Sequence, residues 1–106
     1  MKKLLTALII IVSLGTAGSV CAADFAKGER AYETGDYATA LSEFKTLAEQ
    51  GDAKAQFNLG FMYKTGKGVT QDDKKAVKWW RKASEKGEAQ AQHNLGVVYE
   101  KGQVVV

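Results

Sequence analysis

Few side chains in this sequence could do covalent or metal chemistry. Its 106 residues contain one histidine, His93, and one cysteine, Cys21. His93 has no second histidine and no cysteine partner with which to hold a metal. Asp72 and Asp73 are adjacent, and adjacent positions on a helix point in different directions, away from a shared reaction centre. They read instead as negative charge at a helix start, where it is stabilising. Gly66-Lys67-Gly68 lacks the Gly-Lys-Ser/Thr ending and the preceding strand of a phosphate loop. It reads as a chain reversal that uses the positive φ open to glycine. No catalytic set, metal site or cofactor site is expected, and the chain reads as a non-enzyme.

Residues 1–22 differ in character from the rest of the chain. Lys2 and Lys3 precede an apolar run from Leu4 to Leu14, and Gly15 to Ala23 is small and weakly polar. That order is the pattern of a secretory signal peptide. Cleavage before Ala23 or Asp24 would place the mature chain in the periplasm or outside the cell, without cysteine and so without disulfide or thiol chemistry. The alternative is an uncleaved membrane anchor, since Leu4 to Ala23 reaches the roughly 20 residues that span a bilayer. The whole chain has 15 Lys and Arg against 12 Asp and Glu, and without Lys2 and Lys3 the balance is 13 to 12. That balance gives no support for nucleic-acid binding, which needs a concentrated basic face. Lys74, Lys75, Lys78, Arg81 and Lys82 read as the solvated face of a helix, with an anionic-ligand patch as the alternative.

The elements carrying these residues repeat. Gly51-Asp52-Ala53-Lys54-Ala55-Gln56-Phe57-Asn58-Leu59-Gly60 returns 36 residues later as Gly87-Glu88-Ala89-Gln90-Ala91-Gln92-His93-Asn94-Leu95-Gly96. The same offset links Tyr63 to Tyr99, Phe44 to Trp80 and Gly66 to Gly102. A period of this size signals stacked supersecondary units. Apolar spacing predicts five helices, over about 24–34, 37–50, 53–65, 70–86 and 89–101, with Gly35, Gly51, Gly66 and Gly87 as stops. Thr70 and Asp73 are expected to form a capping box. Trp80 lies on the core stripe. Trp79 lies on its flank, where it packs against the next hairpin or serves as an exposed anchor.

Ala55-x3-Leu59-Gly60-x2-Tyr63-x2-Gly66-x-Gly68-Val69-x2-Asp72-x3-Ala76-x2-Trp79-x3-Ala83-x3-Gly87 resembles a full Sel-one-like repeat (SLR), a relative of the tetratricopeptide repeat. Ala91-x3-Leu95-Gly96-x2-Tyr99-x2-Gly102 resembles the first half of another, and Gly28 with Gly35-Asp36-Tyr37-x2-Ala40-x3-Phe44 is closer to a tetratricopeptide unit. The resemblance implies an all-α, right-handed superhelical solenoid of antiparallel helix hairpins. Its parts would be a signal peptide at 1–22, a hairpin at 24–51, a full repeat at 52–87, a half repeat at 88–102 and a tail at 103–106. Thr70 stands where the family often has proline, and the family usually stacks more units than this.

In such proteins the first helix of each pair lines an inner groove. The resemblance places Lys54, Phe57, Phe61 and Lys64 there, followed by Gln90, His93, Val97 and Glu100. Phe57 and Phe61, one turn apart, would hold an apolar side chain or else pack on a neighbouring helix. Lys54 and Lys64 would meet carboxylates. The expected function is an exported scaffold that binds a peptide or protein on its concave face. The alternatives are a cell-wall or β-lactam-directed hydrolase on the same fold and a truncated fragment of a longer SLR protein. Leu95, Val98 and Tyr99 are expected to form an uncovered stripe that invites a second copy or a partner.

Overall fold

The computed structural model describes residues 23–102. The expected signal segment, with Cys21, and the tail at 103–106 lie outside the described residues. Five helices follow one another: α1 (Phe25–Glu33), α2 (Tyr37–Glu49), α3 (Ala53–Thr65), α4 (Asp73–Glu85) and α5 (Ala89–Glu100). The described residues contain no strand. Each helix packs on the next, as in a solenoid.

Four helices start the same way. Asp24, Asp36, Asp52 and Asp72 each accept a hydrogen bond from the backbone N–H three residues on, at 2.9–3.2 Å. A carboxylate at this position satisfies a donor that the first turn leaves unpaired and lies at the positive end of the helix dipole. The cap of α4 is therefore Asp72, not Thr70 as the capping-box reading expects. Thr70 stands two residues too early, whereas Asp72 has the extended backbone that aims its side chain at Lys75 N–H. Asp73 is the first helical residue and pairs with Lys64 across α3 and α4 at 3.3 Å. At the end of α3 the left-handed Gly66 (φ 73°) lets its N–H reach the Met62 carbonyl at 2.8 Å.

Within each complete hairpin a glycine on the first helix receives an aromatic ring from the second. A Cβ on Gly28 would stand 2.8 Å from the Phe44 ring, and one on Gly60 would stand 2.6 Å from Trp80. The 36-residue match of Phe44 to Trp80 thus has a packing counterpart, a ring seated on bare backbone. Trp80 also donates its indole N–H to the Phe57 carbonyl at 3.1 Å, which satisfies the polar atom that burial would otherwise strand.

Three buried clusters run along the stack. Ala31, Ala40, Phe44 and Met62 join α1, α2 and α3, with Val69 closing over them from the loop. Ala48, Ala55 and Leu59 join α2 to α3, and Trp79 packs on them from α4. Trp79 therefore packs toward the junction of α2 and α3 and is not part of the α4–α5 cluster, where the next-hairpin reading would put it. Ala76, Val77, Trp80 and Ala83 meet Ala91 and Val98 between α4 and α5. This last cluster corrects the expected uncovered stripe. Val98 is buried against α4 and Leu95 packs beside it. Of the three, Tyr99 remains open, and its hydroxyl accepts a hydrogen bond from Arg81 at 2.8 Å.

Candidate functional site

On α3, Lys54, Phe57, Asn58 and Phe61 recur at spacings of three and four, so they share the face opposite Ala55, Leu59 and Met62. On α1 the same spacing groups Phe25, Glu29, Tyr32 and Glu33, while Gly28 and Ala31 turn toward the core. The two faces look across one groove with two adjoining basins. One holds about 380 Å³ and is lined by Phe25, Glu29, Lys54, Phe57, Asn58 and, from α5, Gln90. The other holds about 180 Å³ and is lined by Glu29, Tyr32, Glu33, Phe44, Asn58 and Phe61. Glu29 and Asn58 belong to both.

The basins have a direction. The first takes residues from the early turns of α1, α3 and α5, and the second takes residues from the later turns of α1 and α3. The first helices of successive hairpins therefore run the same way along the groove. Lys54 lies at the end with the helix N-termini. Glu33, the last residue of α1, lies at the other end.

The two readings of the phenylalanines divide between them. Phe57 is half-buried and stacks on Trp80, with ring centroids 6.4 Å apart, so it packs on a neighbouring helix while still forming a groove wall. Phe61 stacks on Phe57 at 6.5 Å and is 40% exposed. Of the residues assigned to the groove from sequence, the structure brings together Lys54, Phe57, Phe61 and Gln90. Lys64 is held toward Asp73. His93 and Glu100 are exposed and Val97 is half-buried on α5, and none of the three lines the two basins.

The sequence reading missed the contribution of α1 (Phe25, Glu29, Tyr32 and Glu33) and also Phe44 and Asn58. Asn58 had a signal, because it recurs as Asn94. For α1 the signal was weak: Gly28 precedes Gly60 by 32 residues, not 36, so the repeat alignment slips there.

A third cavity, of about 450 Å³, is bounded by Ala48, Glu49, Gln56, Trp79, Lys82 and Lys86 among others, from α2, α3, α4 and the turns after α2 and α4. Lys82 lies over the Trp79 ring at 5.5 Å and Lys75 over Tyr63 at 5.5 Å. Two lysines of the basic run of α4 thus each lie over a different aromatic ring. Among the described residues, no cluster of three His, Cys, Asp or Glu is placed to hold a metal ion.

Comparison with known proteins places the fold. The Sel1 repeat model matches residues 53–88 and 89–106. A crystallised Sel1 repeat protein from Oxalobacter formigenes superposes with a TM-score of 0.61 at 42% identity, over 62% of this chain and 27% of that one. DAP3-binding cell death enhancer 1 of Rattus norvegicus is 42% identical over 50 residues, 47% of this chain and 10% of that protein. The secretory immunoglobulin A-binding protein EsiB of Escherichia coli O6:H1 is 43% identical over 42 residues, 40% of this chain and 9% of that protein. The chain therefore spans about a tenth of the length of these two curated relatives.

Proposed function

The chain belongs to the Sel1 repeat family, and we propose that it acts as a non-enzymatic scaffold whose α1–α3–α5 groove holds a segment of a protein partner. Sel1 repeat proteins are generally protein–protein interaction scaffolds, and two of the similar proteins are named for a protein that they bind. The observation that carries the reading is the position of Phe61. Most large apolar side chains among the described residues are covered, yet this ring is 40% exposed on the wall of a concave groove. Exposed aromatics in concave settings are favoured anchors in protein interfaces. Asn58 at the centre offers both a donor and an acceptor to a partner's backbone. Lys54 supplies a cation at one end. Export is part of the proposal and rests on the pattern of residues 1–22; protease protection of the chain in fractionated cells tests it, and a chain confined to the cytosol removes it.

Selection of a displayed peptide library on the full chain tests the groove. Selected peptides should lose at least about tenfold in affinity on Phe61→Ala, the size of effect that marks an interface anchor. They should keep their affinity on Lys45→Ala, an exposed α2 position that lines neither basin. Peptides indifferent to both Phe61→Ala and Asn58→Ala would place binding elsewhere.

A further inference from the structure

The smaller basin carries a charge pattern that points to one class of side chain. Its walls are Glu29, Tyr32, Glu33, Phe44, Asn58 and Phe61, with two carboxylates and no lysine or arginine. Glu29 and Glu33 lie one turn apart in the second half of α1, and both are exposed. No ion pair or hydrogen bond in the described residues engages either side chain. Glu43, by contrast, is taken up by Lys27 at 3.8 Å and by the Asp24 N–H.

The position is unfavourable for acidic residues. The last turn of a helix carries partial negative charge from unpaired carbonyls, so a carboxylate there is repelled where a lysine would be stabilised. Glu33 is the final residue of α1, and Phe61 stands one turn from the end of α3. Glu29 and Glu33 therefore bring two carboxylates to this crevice near the negative end of α1, whose last turn also carries Arg30.

A second feature is independent of charge. The Tyr32 hydroxyl is buried and has no hydrogen-bond partner. A buried hydroxyl left unpaired is destabilising by roughly 1–3 kcal/mol. It is the one such group among the residues that line this basin. The exposed Phe61 ring offers a π-face that attracts cations, whereas Tyr32 already draws Lys67 to 5.6 Å.

We propose that the α1–α3 crevice is the specificity pocket of the groove and takes an arginine or lysine side chain of the partner segment. In this arrangement Glu29 and Glu33 hold the charged head and Phe61 covers its aliphatic stem. The proposal rests on the groove's role as a partner-binding surface and names the chemistry of its ligand. A partner with a basic residue next to an apolar one fits both this crevice and the neighbouring Phe57 wall.

The test is an NMR titration of the full chain with end-blocked heptapeptides that differ only at the central residue, flanked by leucines. Arginine, citrulline and glutamate are compared. Citrulline keeps the shape and most of the donors of arginine but lacks its charge. The arginine peptide should shift the amides of Tyr32, Asn58 and Phe61 and bind about tenfold more tightly than the citrulline peptide, as charge-assisted hydrogen bonds exceed neutral ones. The double substitution Glu29→Gln with Glu33→Gln should erase that difference without lowering the melting temperature, because both side chains are exposed and a neutral group suits the end of α1 better. Equal binding of the arginine and citrulline peptides at these amides overturns the cation assignment and leaves the groove reading standing. If no peptide perturbs α1 or α3, both readings fall.

Discussion

Helices α3 and α5 carry nearly the same sequence and have different surroundings. Gln56 and Gln92 each donate a side-chain hydrogen bond to a carbonyl eight residues earlier, to Ala48 at 3.1 Å and Ser84 at 3.2 Å. The first bond is buried and the second is exposed. Leu59 is fully buried, whereas Leu95 is half-buried. A Cβ on Gly60 would collide with Trp80, and one on Gly96 would meet nothing within 4 Å. The cause is the neighbours. α3 packs extensively on both α2 and α4, while α5 packs extensively on α4 only among the described helices. A repeat therefore specifies half of each interface, and the adjoining unit supplies the rest.

Matched substitutions in the two helices make that difference measurable. Leu59→Ala should destabilise by about 2–5 kcal/mol, the range for emptying a close-packed leucine site, and Leu95→Ala by under half as much. Urea unfolding of the two variants gives the comparison, and equal losses would refute unequal burial. Gly60→Ala should destabilise by about 1–3 kcal/mol through overpacking on Trp80. Gly96→Ala should stabilise by up to about 1 kcal/mol, because alanine is the better helix former and the space is open. Opposite signs in thermal melts are required, and a shared sign breaks the argument.

A smaller effect concerns the helix starts. Asp52 caps α3, but its counterpart Glu88 makes no side-chain bond to α5. Glu88→Asp should add about 0.5–1 kcal/mol by restoring that cap, and Asp52→Ala should remove about 1 kcal/mol. Amide exchange in the first turn of α5 would show the gain directly, and unchanged exchange would mean that the restored carboxylate does not cap.

The smallest effect is expected in acid. Hydrogen bonds from the Thr39 side chain and backbone hold the Asp36 carboxyl below the usual aspartate range. A depressed folded-state pKa adds stability above the unfolded value, and that stability is lost as the pH falls through the folded one. Below about pH 4 the start of α2 should therefore loosen, whereas α5, with no carboxylate cap to lose, should not follow. Amide-exchange NMR of the first turns of α2 and α5 as the pH is lowered separates the two, and an Asp36→Asn variant should flatten the α2 response.

Much of the architecture was legible in the sequence. Glycine stops and apolar spacing located five helices, and the 36-residue match of Phe44 to Trp80 identified the ring that each complete hairpin buries. The groove was half legible. Lys54, Phe57, Phe61 and Gln90 could be carried along the repeat by alignment. Glu29, Tyr32 and Glu33 could not, because α1 follows a shorter spacing and its acidic residues look like ordinary solvated charge. Trp79 shows the same limit, since its flank position pointed to the next hairpin or an exposed anchor, and the structure packs it on the cluster between α2 and α3.

Periodicity and capping act over a few residues, so the chain alone determined where helices begin, where they end and which stripe turns inward. Burial and electrostatic setting depend on what stands opposite. Only the tertiary structure could decide that Gln56 is buried while Gln92 is not, that Val98 is covered by α4, and that two carboxylates of α1 face the aromatic wall of α3. The physical reason is that packing and potential are sums over neighbours in space, and the repeat does not say which neighbours a given copy will have.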